Sequence, residues 1–290
     1  MMYIDSNKIT FENVTKTQAL LLSFLMAMFY VGSLYLIKEK HGRDHPSTIK
    51  SRFMRVSIAS LLACLLLYYS SSISKSTNAK SGLYLHWIGC RINCSIIATV
   101  FPLLLLAALF FGPIVQTILD QGILFFEWQY LEDITLWRNY VVAPLSEELV
   151  FRGCMMPILI PSFGYTVTIF LAPWFFGLAH LHHAIEQYKD GYYSVSQIAL
   201  STVFQACYTT LFGMLSCFIF LRTGHLASAF ISHAFCNLMG FPEFSQALHH
   251  KHRHLVCSCY VIGLLLFLYM LYPLTNPSLY DNMLYATSTV

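Results

Sequence analysis

Residues 143–153 read APLSEELVFRG, placing Glu147, Glu148 and Arg152 within eleven residues that are otherwise mostly apolar. Whether that stretch faces water, lipid or a protein interior decides the class of fold. The rest of the chain excludes water. Of 290 residues, 57% are hydrophobic and 11% are charged, against about 25% charged in a soluble domain. So few charges cannot cover a water-facing globule, and the economical home is a bilayer.

Working outward, uncharged or nearly uncharged runs occupy 18–37, 56–72, 95–119, 163–179, 198–221 and 255–274. Each approaches the ~20 residues needed to cross a hydrocarbon core. Two further apolar stretches, around Glu147 and around His233, carry polar residues. The expected architecture is all-α, a polytopic transmembrane helix bundle of roughly eight spans with a catalytic cavity inside the membrane. The first apolar run lacks a cleavage site of small residues and reads as an uncleaved anchor. The chain divides into N-terminal spans with an interfacial segment (1–137), a core (138–241), and a C-terminal loop with the last span (242–290). The loop KEKHGRDHPSTIKSRFMR, 38–55, holds six Lys or Arg, which places it in the cytosol and the N-terminus across the membrane. Topology accounts for those cations, and no nucleic-acid partner is expected. Nine scattered cysteines form no CxxC pair and read as small apolar core residues.

A charge at the bilayer centre costs about 2.5–3.5 kcal/mol unless it faces a cavity or a partner. Glu148 and Arg152 are four residues apart and share a helix face, whereas Glu147 points about 100° away. One acid is thereby neutralised while the other is left for a different task. Pro144 and Ser146 mark a helix start just before the acids. An Arg–Glu pair that merely locks two helices is the bland alternative, but a lock needs only one acid. Two histidine-bearing stretches accompany the acids. In FFGLAHLHHAIEQ, Phe176 and His180 are spaced i, i+4, followed by His182, His183 and Glu186. In HLASAFISHAFCNLMGFPE, His233 and Asn237 repeat the spacing. Buried polar residues on three helices imply one convergent cavity. A carboxylate beside a neutral imidazole can take a proton from water, and a second imidazole with an amide can face a developing oxyanion. That combination suits amide hydrolysis by water. A His₂Glu zinc set drawn from His180, His233 and a glutamate is the competing use, although there is no HExxH. A proton- or ion-coupled transporter and a non-catalytic binding scaffold are the readings from other classes. The transporter lacks a visible inverted repeat.

The three patterns, Glu147-Glu148-x-x-x-Arg152, Phe176-x-x-x-His180 and His233-x-x-x-Asn237, are intact and in order. They resemble the motifs of the type II CAAX prenyl endopeptidases, the Ras-converting group within the CAAX proteases and bacteriocin-processing enzymes. The resemblance is firm over residues 138–241. It implies a glutamate-dependent intramembrane protease of the endoplasmic reticulum, with its active site facing the cytosol and no metal or other cofactor. Its implied substrates are farnesylated or geranylgeranylated CAAX proteins such as Ras-like GTPases. It also implies roles: Glu147 with His180 activates water, His233 and Asn237 stabilise the oxyanion, and Phe176 supports the site. Glu148 and Arg152 organise it, with Arg152 meeting the substrate carboxylate. Within 120–138, Asp120, Glu127, Glu132 and Asp133 sit among aromatics in an interfacial pattern. A sharper expectation is that they attract basic residues upstream of a CAAX box.

Overall fold

The computed structural model describes residues 8–73, 81–122, 132–181, 184–185, 187–188 and 191–285. The described chain is all-α apart from one two-residue antiparallel pair, β1 (Ile9–Thr10) and β2 (Ser72–Ile73). Helices α1 (Lys16–Ser33), α2 (Pro46–Tyr69), α3 (Tyr84–Trp87), α4 (Ser95–Leu109) and α5 (Phe111–Gln121) come first. A continuous helical run then covers 134–163. It comprises α6 (Ile134–Trp137), a π turn (Arg138–Val142), α7 (Ala143–Glu148), a second π turn (Leu149–Cys154) and α8 (Met156–Phe163). After it come α9 (Tyr165–Ala179), α10 (Val195–Thr223), α11 (Leu226–Met239), α12 (Phe244–His249) and α13 (Arg253–Leu274).

Among the described residues, α2, α10 and α13 are each long and apolar enough to cross a membrane, and α9 and α11 are shorter apolar helices. Large apolar side chains point outward along α1, α2 and α13, including Phe29, Leu61, Leu65 and Leu265. In water such a surface would be an aggregation hazard; in a bilayer it is the lipid-facing belt.

Proline accounts for two departures from the expected spans. The run 95–119, read as one span, is two helices bent by 71°. Pro113 has no N–H to offer the carbonyl four residues back, that of Leu109, and α4 ends there. The helix carrying the acids does not begin at Pro144, because the chain is already helical from Ile134. Each π turn instead ends shortly before a proline, Pro144 or Pro157. A widened turn re-partners the backbone that a missing N–H would orphan, as where the Ala143 N–H reaches the Arg138 carbonyl. Ser146 is no cap: its hydroxyl meets the Tyr30 hydroxyl at 2.7 Å and the Val142 carbonyl at 2.7 Å.

The core that positions the site is the packing of α10 along α9. Two glycines permit it. A Cβ on Gly177 would lie 2.7 Å from Thr210 Oγ1, and one on Gly213 would lie 2.9 Å from Pro173 Cβ. Small residues of this kind let transmembrane backbones approach closely.

Candidate active site

Glu148 lies at the end of α7, fully buried, and three donors converge on its carboxylate. Arg152 Nη1 reaches Oε1 at 3.0 Å, His233 Nδ1 reaches Oε1 at 2.7 Å, and Ser216 Oγ donates to Oε2 at 2.8 Å. A carboxylate fixed by this many donors, two of them from other helices, is a rigid anion. Arg152, equally buried, stacks its guanidinium on Phe176 at 4.5 Å and donates to the Gly213 carbonyl at 3.4 Å. The FxxxH phenylalanine is therefore the floor on which the arginine rests, a cation–π contact in a dry setting. Phe176 also meets the His180 ring edge-on at 4.5 Å and the His233 ring at 6.0 Å.

In front of this layer is a cavity of about 450 Å³. Glu147, His180, His233 and Asn237 all line it, with Phe176, Tyr208 and Thr209. Thus three separate stretches of sequence, 147–152, 176–180 and 233–237, deliver side chains to one hollow. The one-residue offset between the glutamates does what helical geometry requires: Glu148 faces Arg152, and Glu147 lines the cavity. His233 bridges the two layers. Its Nδ1 must carry the hydrogen, because a carboxylate only accepts, and its Nε2 lies 3.8 Å from Glu147 Oε2. His180 Nδ1 lies 2.7 Å from the Phe176 carbonyl, which likewise fixes the proton on Nδ1 and leaves Nε2 the basic nitrogen of the neutral ring. Asn237 donates one amide hydrogen to the Asn139 carbonyl at 2.9 Å. Its second amide hydrogen remains for another acceptor.

Some expected features lie elsewhere. Arg152 does not line the cavity, and its charge is directed to Glu148, so it is not placed to meet a substrate carboxylate. Asp120 pairs with His250 at 3.0 Å, and Asp133 caps α6 by accepting from the Thr135 N–H at 2.8 Å. The Thr135 hydroxyl, and then its N–H, hold the Asp133 carboxyl below its ordinary range. Glu127, His182, His183 and Glu186 lie outside the described residues. Among the described residues no three His, Cys, Asp or Glu side chains are grouped as metal ligands.

Sequence reasoning missed Ser216. A serine inside a long apolar helix is common, and nothing in its neighbours marks it. Asn139 and the arginines of the cavity wall, Arg43, Arg52 and Arg138, were also missed as site residues. The high cationic count of 38–55 was the only signal for Arg43 and Arg52.

A family model described as type II CAAX prenyl endopeptidase Rce1-like matches residues 132–239. The chain is similar to CAAX prenyl protease 2 of Homo sapiens, 42% identical over 272 residues, covering 89% of this chain and 81% of that protein. It is 38% identical over 274 residues to CAAX prenyl protease 2 of Rattus norvegicus, covering 90% and 80%. With CAAX prenyl protease 2 of Arabidopsis thaliana the identity is 30% over 298 residues, covering 93% and 94%. No solved structure matches the chain.

Proposed function

Since this chain belongs to the type II CAAX prenyl endopeptidase family, we propose that it is a multi-pass membrane peptidase that removes the C-terminal tripeptide from prenylated CAAX proteins, Ras-like GTPases among them. Its place is the endoplasmic reticulum membrane, with roughly eight membrane-embedded segments and the cavity opening to the cytosol. The observation that carries this reading is the convergence of Glu147, His180, His233 and Asn237 on one hollow, backed by the buried Glu148–Arg152–Ser216 layer.

In the mechanism, a water held by Glu147 and the basic Nε2 of His180 attacks the carbonyl of the prenylcysteine. The proton it loses passes to that pair and then to the leaving amine, and the C–N bond breaks. The tetrahedral oxyanion is met by the uncommitted amide hydrogen of Asn237 and by His233. His233 Nδ1–H is held by Glu148, so an Nε2 donor requires the doubly protonated ring. Glu148 and Glu147 are the counter-charges for that form. Glu148, Arg152 and Phe176 position this apparatus and touch no reacting atom. A membrane enzyme suits the substrate, because each prenyl CH₂ buried in an apolar phase contributes about 0.8 kcal/mol.

The test is mass spectrometry of a farnesylated CAAX peptide incubated with the purified protein in lipid nanodiscs. The expected result is loss of the three terminal residues, undiminished by a chelator. An intact peptide overturns the reading, and chelator-sensitive cleavage restores the zinc alternative.

A further inference from the structure

With Arg152 committed to Glu148, the cavity needs another cation for the C-terminus of a peptide. Among the described residues, the wall holds three guanidinium groups, those of Arg43, Arg52 and Arg138, and one lining carboxylate, Glu147. Asp44, just outside the lining, pairs with Arg138 Nη1 at 2.7 Å. Arg138 also donates from Nε to Asn139 Oδ1 at 2.9 Å and from Nη1 to the Arg43 carbonyl at 3.5 Å. These bonds tie the 43–44 backbone to the cavity wall. Arg52 is half-buried nearly two turns into α2 and Arg43 is exposed just before that helix, so the cationic side of the cavity is the side where α2 begins.

We propose that Arg43 and Arg52 form the subsite for the free α-carboxylate at the substrate's C-terminus, with Arg138 positioning them. The inference rests on the peptidase reading above and deepens it, since it says how the cavity recognises a chain end. A carboxylate leaving water needs charge-assisted donors to offset its desolvation, and a guanidinium supplies two in parallel. Anchoring the terminus at one wall and the scissile bond at Glu147 and His180 sets the length of the released fragment.

The experiment compares two farnesylated peptides that differ only in a C-terminal acid or amide, for the wild type, Arg52→Gln and Arg43→Gln. The wild type is expected to favour the acid by about tenfold or more in kcat/KM, the scale of a hydrogen bond to a charged group. Each variant lowers cleavage of the acid and leaves the amide nearly unchanged, so the ratio falls toward one. A ratio is insensitive to the fraction of folded enzyme. Equal cleavage of acid and amide by the wild type overturns the subsite, as do variants that slow both peptides in proportion. Inhibition of the wild type by the released tripeptide is a second measurement independent of any variant. The acid is expected to inhibit more tightly than its amide, and equal inhibition overturns the proposal. A wild type that cleaves neither peptide indicts the peptidase reading instead.

Discussion

Glu148 shows what a single residue contributes when its charge is fully enclosed. Removing the guanidinium with Arg152→Leu leaves that carboxylate buried with only His233 and Ser216 as donors. The expected cost is about 3–5 kcal/mol, read as a fall in melting temperature in detergent together with loss of activity. Ser216→Ala is milder. It removes one hydrogen bond to the carboxylate, and the expected outcome is about a tenfold drop in kcat with KM little changed. A change confined to KM would place Ser216 outside the positioning layer. A titration effect belongs to His225, the fully buried residue that precedes α11. Burial, and then the charge of Arg91, pushes its pKa down to about 4 from 6.5. The folded protein thus keeps the ring neutral while the unfolded chain takes up a proton. Its stability contribution is complete above about 6.5 and is lost as pH falls toward 4. Melting temperature should decline over that window, and the His225→Gln protein should show a flatter profile. At this scale the sequence was informative because cost singles residues out: acids and imidazoles in apolar surroundings announce a site. Ser216 and Asn139 announce nothing, because their roles come from what other segments bring to them.

Among the elements, the departures from regular α-helix cluster where the chemistry is. Both π turns flank α7, which carries the two glutamates. Each lies next to a proline that was visible in the sequence, but the reading of Pro144 as a helix start took the commoner consequence of proline over the rarer one. The spacing of Glu148 and Arg152 still delivers their pair, because the first turn after Glu148 keeps the two side chains on one face. The α9–α10 contact is equally specific. Gly213→Ala places a methyl 2.9 Å from the rigid ring of Pro173, whereas Gly177→Ala meets the Thr210 hydroxyl, which can rotate away. Overpacking against a ring costs about 1–3 kcal/mol. Gly213→Ala should therefore lower both melting temperature and kcat, since Pro173 shares its helix with Phe176 and His180 directly follows that helix, and Gly177→Ala should be the gentler change. Equal effects from the two substitutions would contradict this account of the contact.

For the whole molecule, hydropathy located apolar segments well because lipid exposure leaves a long uninterrupted signature on α2, α10 and α13. It could not see the 71° break between α4 and α5, which depends on one missing N–H rather than on apolar content. Nor could it show that stretches separated by tens of residues share one hollow, since that convergence is made by packing. Of the six cations of 38–55, Arg43 and Arg52 help to line the cavity, so that stretch and the cavity wall lie on the same side of the bundle. A single cysteine replacing Lys40 should react with a membrane-impermeant thiol reagent from the cytosolic side of sealed microsomes, and labelling only after permeabilisation would reverse the orientation. The central claim, that the first carboxylate of the doublet meets the imidazoles and makes water reactive, has its most direct measurement in the Glu147→Gln protein. That substitution keeps size and hydrogen bonding and removes the base. In single-turnover cleavage of a farnesylated CAAX peptide, the account predicts a loss of about 10²-fold or more, with melting temperature and peptide binding close to wild type. Cleavage by Glu147→Gln at the wild-type rate would contradict it.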